Sequence, residues 1–202
     1  FRPILGEGSM FTIGDAQLGP ADGWGIGVTM SFAKDPFIYR YDEPTTDGDI
    51  EYPVLASVGT ADIAGFVNIA ETRIGFVQPM HLLASGHNTS GGTLGDTRLL
   101  ATRSIFSENR TNLAVTGELK LPMGDETAWL GDTGGSGGAS LEASWGERGG
   151  LLVAANAGFQ TGSSVLIGDV TWGAQLPFGA GASVRVDTGL DVTLEANATL
   201  VL

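Results

Sequence analysis

The chain has 202 residues, among them 32 glycines and no cysteine, and its formal net charge is −13. Without cysteine, a disulfide scaffold and thiolate metal sites are excluded. The acidic balance argues against a nucleic-acid partner, because phosphate backbones are bound by clustered Lys and Arg. The sequence has no run of about 18 apolar residues, so it predicts no transmembrane helix. A start at Phe1 without an apolar signal region fits a mature exported protein.

The first elements are a glycine-containing segment, a strand and an acidic stretch. Residues 1–21 show no sustained hydrophobic period and are interpreted as a periplasmic lead-in segment. Residues 35–52 combine acidic and turn-forming residues and predict a loop. Between them, residues 24–32 place large apolar side chains on one parity and small or polar ones on the other. Strand side chains alternate between faces, so this segment predicts a strand whose apolar face consists of Trp24, Ile26, Val28, Met30 and Phe32.

The same alternation recurs along the rest of the chain. It predicts strands near residues 53–64, 73–83, 94–105, 113–121, 139–145, 153–160, 165–176, 183–187 and 190–200. No segment keeps the 3.6-residue period of a helix. The sequence therefore predicts an all-β, antiparallel fold joined by hairpins.

The repeated apolar face has to be covered either by a second sheet or by lipid. Along the first seven predicted strands, the connections at one end of the sheet are long and those at the other end are short. After the seventh strand, the connections at the long-loop end are also predicted to be short. Alternating long loops and short turns are typical of outer-membrane barrels. Many apolar-parity residues are alanine, which would leave a sandwich core thin. We therefore predict a transmembrane β-barrel of about ten strands (range about 8–12) over residues 22–202.

The polar parity carries charges in mid-strand, which such a barrel would turn inward. Small barrels are nearly filled by side chains, so charges inside have to pair. Surplus acids would give any pore a cation preference, and a filled lumen without conduction stays an equal alternative. Asp96 and Arg98 are expected to pair with Glu118 and Lys120 on the next strand. The predicted lumen-facing charged residues are Asp96, Arg98, Glu118, Lys120, Glu142, Asp169, Arg185, Asp187, Asp191 and Glu195.

Aromatic residues on the apolar parity indicate where membrane interfaces would lie. Trp and Tyr are enriched at both interfaces of membrane proteins, and barrels carry aromatic girdles there. The predicted membrane-interface aromatics are Trp24, Phe32, Trp145 and Trp172.

Catalytic and metal-binding patterns are sparse. The two histidines, His81 and His87, lie near Ser85, Ser90 and Asp96. Some outer-membrane enzymes use such groups, but histidines flanking a glycine-containing loop are more often ordinary loop residues, so no enzyme is predicted. Calcium takes several oxygen ligands, yet the acidic loop has no EF-hand spacing, and no metal site or cofactor is predicted. The candidate Ca²⁺ ligands there are Asp42, Glu43, Asp47 and Asp49.

Several short motifs carry a family resemblance. They are F-R-P at 1–3, the strand 23–34 followed by Asp35-Pro36, L-G-D-T-R at 94–98, and L-P-M-G-D at 121–125 before a glycine-rich run. Together they resemble the N-terminal outer-membrane barrel of OmpA-like proteins of the deltaproteobacterial type. In that family a calcium-binding thrombospondin type 3 region and a peptidoglycan-binding domain often follow the barrel, and neither is among these 202 residues. The resemblance implies a bacterial outer-membrane location.

Two functions from different classes follow. The first is a Gram-negative cell-envelope protein in contact with outer-membrane lipid, with a structural or porin-like, weakly permeable role, alone or as a subunit with other envelope proteins. The second is a soluble, secreted all-β module that binds a carbohydrate or another ligand through loops such as the one containing Trp129.

Overall fold

The computed structural model describes residues 13–14, 16–42, 49–86, 89–125, 130–131, 134–162, 165–167, 170–188 and 190–202. Their elements are β1 (Trp24–Asp42), β2 (Asp49–Ile69), β3 (Thr72–Gly86), β4 (Thr89–Leu94), β5 (Thr97–Glu108), β6 (Thr111–Leu121), β7 (Ser136–Gly146), β8 (Leu151–Thr161), β9 (Val165–Ile167), β10 (Val170–Trp172), β11 (Gln175–Asp187) and β12 (Leu190–Val201). The predicted all-β class is confirmed.

One antiparallel sheet contains most of the chain. Its strands follow the order β1-β2-β3-β5-β6-β7-β8-β11-β12, and β4 pairs with β3 beside β5. Because β4 and β5 pair with the same strand and only Gly95 and Asp96 separate them, they act as one interrupted strand. The sheet curls strongly into a half-barrel. β9 and β10 form a separate two-stranded pair.

Most large apolar side chains lie on the convex face of this sheet. Ile26 is 73% exposed, Val153 43% and Leu194 79%, which means that no second layer among the described residues covers that face. The opposite parity faces the concave side, where Val77 and Ala114 are buried. The alternation seen in the sequence thus corresponds to an apolar outside and a mixed, largely polar inside.

Two predicted segments differ from the observed ones. The predicted loop 35–52 is largely hairpin, since the β1–β2 ladder continues to Asp42↔Asp49 past a bulge between Lys34 and Phe37. The turn-forming residues are concentrated between the two strands, and the flanks are rich in β-formers. The predicted strand 165–176 is wrong: Gly173 follows the short β10, and the run that pairs with β8 begins only at Gln175.

The two ends of the sheet differ in their connections. At one end β2–β3, β5–β6, β7–β8 and β11–β12 are joined by short turns, and we call this the short-turn end. Positive φ angles at Ala70, Asn109 and Gly149 allow three of these turns to be tight. At the long-loop end, the connection between β8 and β11 is longer than predicted because it carries β9 and β10.

Candidate functional site

The concave face carries a charge network on β5 and β6. Arg98 Nη2 lies 2.9 Å from Glu118 Oε2, and Lys120 Nζ lies 3.3 Å from Asp96 Oδ2. Only 11% of the Arg98 side chain and 13% of the Glu118 side chain are exposed. Arg98 is level with Lys120 and Leu100 with Glu118, so the Arg98–Glu118 pair runs diagonally across the hairpin. The structure thus brings together the four residues that the sequence grouped.

Hydroxyl and amide groups extend the network to the neighbouring strands. The Thr102 and Thr116 hydroxyls lie 2.8 Å apart, and Thr116 donates a hydrogen bond of 2.7 Å to Glu142 Oε1 on β7. Gln160 on β8 donates to Glu118 Oε1 at 3.5 Å. The network therefore crosses β5, β6, β7 and β8 on one face. Both threonines and Gln160 are absent from the predicted set of site residues, although all three lie on the polar parity.

Asp96 joins the network to the long-loop end. Its Oδ1 atom accepts hydrogen bonds from the backbone N–H groups of Met123 at 3.1 Å and Gly124 at 2.8 Å. A Cβ atom at Gly124 or at Gly131 would come within 2.9 Å of the same oxygen. The residues after β6 are therefore held tightly against Asp96, and two of the sequence motifs described above meet here.

The remaining predicted lumen charges lie elsewhere. Arg185 and Asp191 form a separate ion pair of 2.8 Å on the β11–β12 hairpin, with 44% and 28% of their side chains exposed. Asp187 is exposed near the β11–β12 turn, and Glu195 is half-buried on β12. Asp169 lies outside the described residues.

The lead-in segment lies against the concave face, a position that the sequence did not predict. Asn68 Nδ2 donates to the Leu18 carbonyl at 2.6 Å and to the Pro20 carbonyl at 2.9 Å. Arg73 also donates to the Leu18 carbonyl, and Arg148 donates to the Gln17 carbonyl. The anchoring side chains come from the β2–β3 and β7–β8 ends of the sheet. Residues 16–20 are therefore tied down at the short-turn end.

Further inside, the lead-in fills space between the strands. Ile13 is fully buried in an apolar cluster with Leu152 and Ala154 on β8. Its side chain also lies where a Cβ at Gly179 would be, so β11 carries glycine at this contact. Between the lead-in and the wall remains a cavity of about 510 Å³, which Arg73, Arg98, Glu118 and Glu142 help to line together with residues of β8, β11 and β12.

The residues considered for catalysis are engaged in other contacts. His81 Nδ1 lies 2.9 Å from the Thr60 hydroxyl, and the Ser85 hydroxyl lies 2.8 Å from that of Ser57. His87 and the side chain of Ser90 lie outside the described residues, as do the side chains of the Ca²⁺ candidates Asp42, Glu43, Asp47 and Asp49. In the described part of the chain, no three His, Asp or Glu side chains form a group that could hold a metal ion.

Three of the four predicted interface aromatics are on the convex face. Trp24 is 74% exposed, Phe32 68% and Trp145 51%. Trp24 begins β1 and Trp145 is the penultimate residue of β7, so both lie at the short-turn end. Trp172 belongs to β10, and its side chain lies outside the described residues.

Comparison with protein-family models, with curated proteins and with solved structures finds no match to this chain. No helix among the described residues has the length and apolarity needed to cross a membrane. The function is therefore argued from the geometry of the two faces.

Proposed function

We propose that this chain is a bacterial outer-membrane β-barrel protein of OmpA-like type, with a structural or weakly permeable, porin-like role. The observation that carries the proposal is that apolar side chains lie outside and charged side chains inside, the reverse of the distribution in a soluble protein. Large apolar side chains such as Ile26 and Leu194 are more than two thirds exposed, whereas Asp62, Arg73 and Asp96 are buried. Exposed apolar patches of this extent mark contact with a partner or with a membrane, and hydrocarbon chains would cover them.

The height of the apolar band suits a bilayer. On β12 the outward apolar residues run from Leu190 to Leu200. At about 3.3 Å per residue and a tilt of about 40°, this run covers about 25 Å along the membrane normal. Outer-membrane barrels have an apolar band of about 25 Å. One strand therefore has the length that crossing requires.

Aromatic and charged residues at the short-turn end also support a convex face in contact with lipid. Exposed ion pairs accompany the tryptophans at the short-turn end: Arg110 lies 2.9 Å from Glu147, and Arg103 lies 3.7 Å from Glu71. Aromatic residues followed by charged residues are typical of the boundary between hydrocarbon and water. We place this end on the periplasmic side, because barrels carry their short turns there.

The partly filled interior supports a structural role with low permeability. The charges on β5 and β6 are paired, and the lead-in occupies part of the concave side. An ion crossing this interior would have to compete with these pairs or displace the lead-in. Outer-membrane lipid is the partner that the convex face fits, and the acidic balance still argues against a nucleic acid.

Lipid contact of the convex face is the decisive test. The full chain is reconstituted into phosphatidylcholine vesicles as single-cysteine variants carrying a small fluorophore, and brominated acyl chains serve as the quencher. We expect strong quenching at Ile26→Cys and little at Gly27→Cys, because adjacent strand residues face opposite sides. Gly27 is a suitable control since a Cβ there would meet no atom within 4 Å.

The alternative secreted module gives a different result in the same experiment. Such a protein would stay in the aqueous phase when the vesicles are floated, and neither position would be quenched. Equal quenching at both positions would show surface adsorption rather than a lipid-facing convex side. Either outcome would contradict the proposed function.

A further inference from the structure

The order of strands fixes how the two edges of the sheet are directed. Eight successive antiparallel pairings lead from β1 to β12. Because an even number of reversals restores the direction, β1 and β12 run the same way. Any direct contact between these edge strands is therefore parallel.

Both edges carry the apolar band. In the described residues β1 pairs only with β2, and β12 only with β11. Val28 on β1 is 60% exposed and Leu194 on β12 is 79% exposed, so the band reaches both edges. Inside hydrocarbon no water can bond to an unpaired backbone group, and open sheet edges do not occur there. If the convex face meets lipid, as proposed above, these two edges need a partner.

The described residues contain no spare strand that could lie between the edges. β9 and β10 have three residues each, whereas a membrane-crossing strand needs about 9–11. β4 continues into β5 within the sheet, and the described part of the lead-in is anchored at its concave side. The strong curl of the sheet brings β12 and β3 to the same cavity. Among the described residues, the strand left to pair with each edge is the opposite edge.

We propose that β12 pairs with β1 in parallel and closes the sheet as a nine-stranded barrel with one parallel seam. This inference rests on the proposed membrane function. Every other pairing in the barrel is antiparallel, as in the described sheet. Most antiparallel barrels avoid such a seam through an even number of strands, so the seam distinguishes this chain.

The ladder registers define the geometry of this seam. Gly25 on β1 is level with Phe66, Gly75, Leu100, Glu118, Gly138, Gln160, Gln175 and finally Val201 on β12. One residue earlier on both parallel strands, Trp24 is level with Leu200. Closing the barrel with the two strand starts side by side places Trp24 beside Leu190, which is ten residues before Leu200.

That displacement is the one a small barrel requires. About ten residues of stagger at about 3.3 Å each, over nine strands about 4.8 Å apart, correspond to a strand tilt of about 37°. Barrel strands are typically tilted by about 35–45°. The displacement is also even, so it keeps outward residues beside outward residues. In this register Val28 lies beside Leu194.

The inner sides of the two strands are compatible in size. β1 presents Gly25 and Gly27 inward, and a Cβ at Gly27 would meet nothing within 4 Å. In the proposed register Asp191 and Thr193 of β12 lie beside these two glycines. Glu195 and Asn197 lie beside Thr29 and Ser31, which are also short side chains. Small residues on one strand leave room for long side chains on the next, as expected for neighbours that share a narrow interior.

Disulfide formation tests the seam directly, because the chain has no cysteine of its own. The full chain in phosphatidylcholine vesicles is oxidised and run on a non-reducing gel. For Val28→Cys with Leu194→Cys we expect an intramolecular disulfide in most molecules. Val28→Cys with Ile63→Cys is the positive control, since these residues are paired across β1 and β2. Val28→Cys with Leu200→Cys is the mismatched pair, which we expect to stay reduced.

Two results would overturn the proposal. A disulfide that forms only between two chains would show that a second copy occupies the edges. A positive control that forms while the Val28–Leu194 pair stays reduced would show that another strand lies between them. Neither result depends on lipid contact, which the quenching at Ile26 and Gly27 measures separately. The seam can therefore fail while the membrane function stands.

Discussion

Two ion pairs in different parts of the same sheet have similar geometry and different surroundings. Arg98 and Glu118 are 2.9 Å apart on β5 and β6, and Arg185 and Asp191 are 2.8 Å apart on β11 and β12. The first pair is about one tenth exposed at each side chain, whereas 44% of Arg185 is exposed. Both hairpins place these residues on the inward parity. The difference therefore comes from what covers each pair, not from the strands that carry it.

The cover differs because the strands around β5 and β6 are interior to the sheet. Glu118 also receives a hydrogen bond from Gln160 two strands away, and the Thr102–Thr116 pair lies next to it. Arg185 and Asp191 instead lie beside the β11–β12 turn at the short-turn end, where water reaches both side chains. Buried pairs become costly when one partner is lost, whereas exposed pairs contribute little. The following variants test this contrast.

The largest effect is expected for Arg98→Met. It leaves Glu118 with a nearly buried charge that has lost its cation, which typically costs about 3–5 kcal/mol. Urea unfolding in detergent measures this free energy. The double variant Arg98→Met with Glu118→Leu should recover part of the loss, because it removes both charges. A single variant as stable as the parent would contradict the buried network.

Ile13→Ala is expected to rank second. Ile13 is fully buried beside Leu152, and removing a buried aliphatic side chain typically costs about 2–5 kcal/mol. Ile26→Ala is the matched control on the convex face, where lipid replaces the lost contacts and a smaller change is expected. The same urea titration compares the two. Equal losses would mean that the lead-in does not pack inside.

Arg73→Met is expected to loosen the lead-in with a smaller cost to the fold. Arg73 donates to the Leu18 carbonyl and to Asn68 Oδ1, the latter at 3.1 Å. Losing a hydrogen bond from a charged donor costs about 1.5–3 kcal/mol. We expect more frequent conducting events in planar bilayers and faster protease cleavage near residues 16–20. Arg103→Met, which is exposed at the same end, is the control and should change neither measurement.

Arg185→Met is expected to have the smallest effect. Water already screens this pair, so the urea midpoint should match that of the parent. A shift as large as that of Arg98→Met would show that the β11–β12 hairpin is covered as deeply as the β5–β6 hairpin. This outcome would remove the contrast between the two regions.

Alternation predicted the strands well where it ran without interruption. Residues 190–200 keep one parity throughout, and β12 spans nearly the same residues. Prediction failed at 165–176, because Val170 and Trp172 continue the parity of Ala174 and Leu176 although the ladder breaks between them. Periodicity reports which residues share a face, but not whether two runs belong to one strand.

The charge network could be predicted from the sequence for a related reason. Asp96 and Arg98 lie at the start of one hairpin strand, and Glu118 and Lys120 lie at the end of the next. Knowing which residues share the inward face is therefore enough to predict that they are neighbours. The position of the lead-in was not accessible. Its backbone carbonyls are held by side chains some 50 to 130 residues away, and polar residues at strand ends are too common to indicate such a role.

The contact between Asp96 and the backbone at Gly124 links positions 28 residues apart in the chain. A substitution at Asp96 would leave two amide groups without their acceptor, and a side chain at Gly124 or Gly131 would push that acceptor away. A Cβ at Gly124 would also lie within 2.7 Å of backbone atoms of Leu130 and Gly131, and a Cβ at Gly131 would lie 2.6 Å from the backbone of Gly124. Both positions therefore require glycine, whichever residue occupies position 96. In descendants of this chain we therefore expect glycine to persist at 124 and 131 even where Asp96 has been replaced.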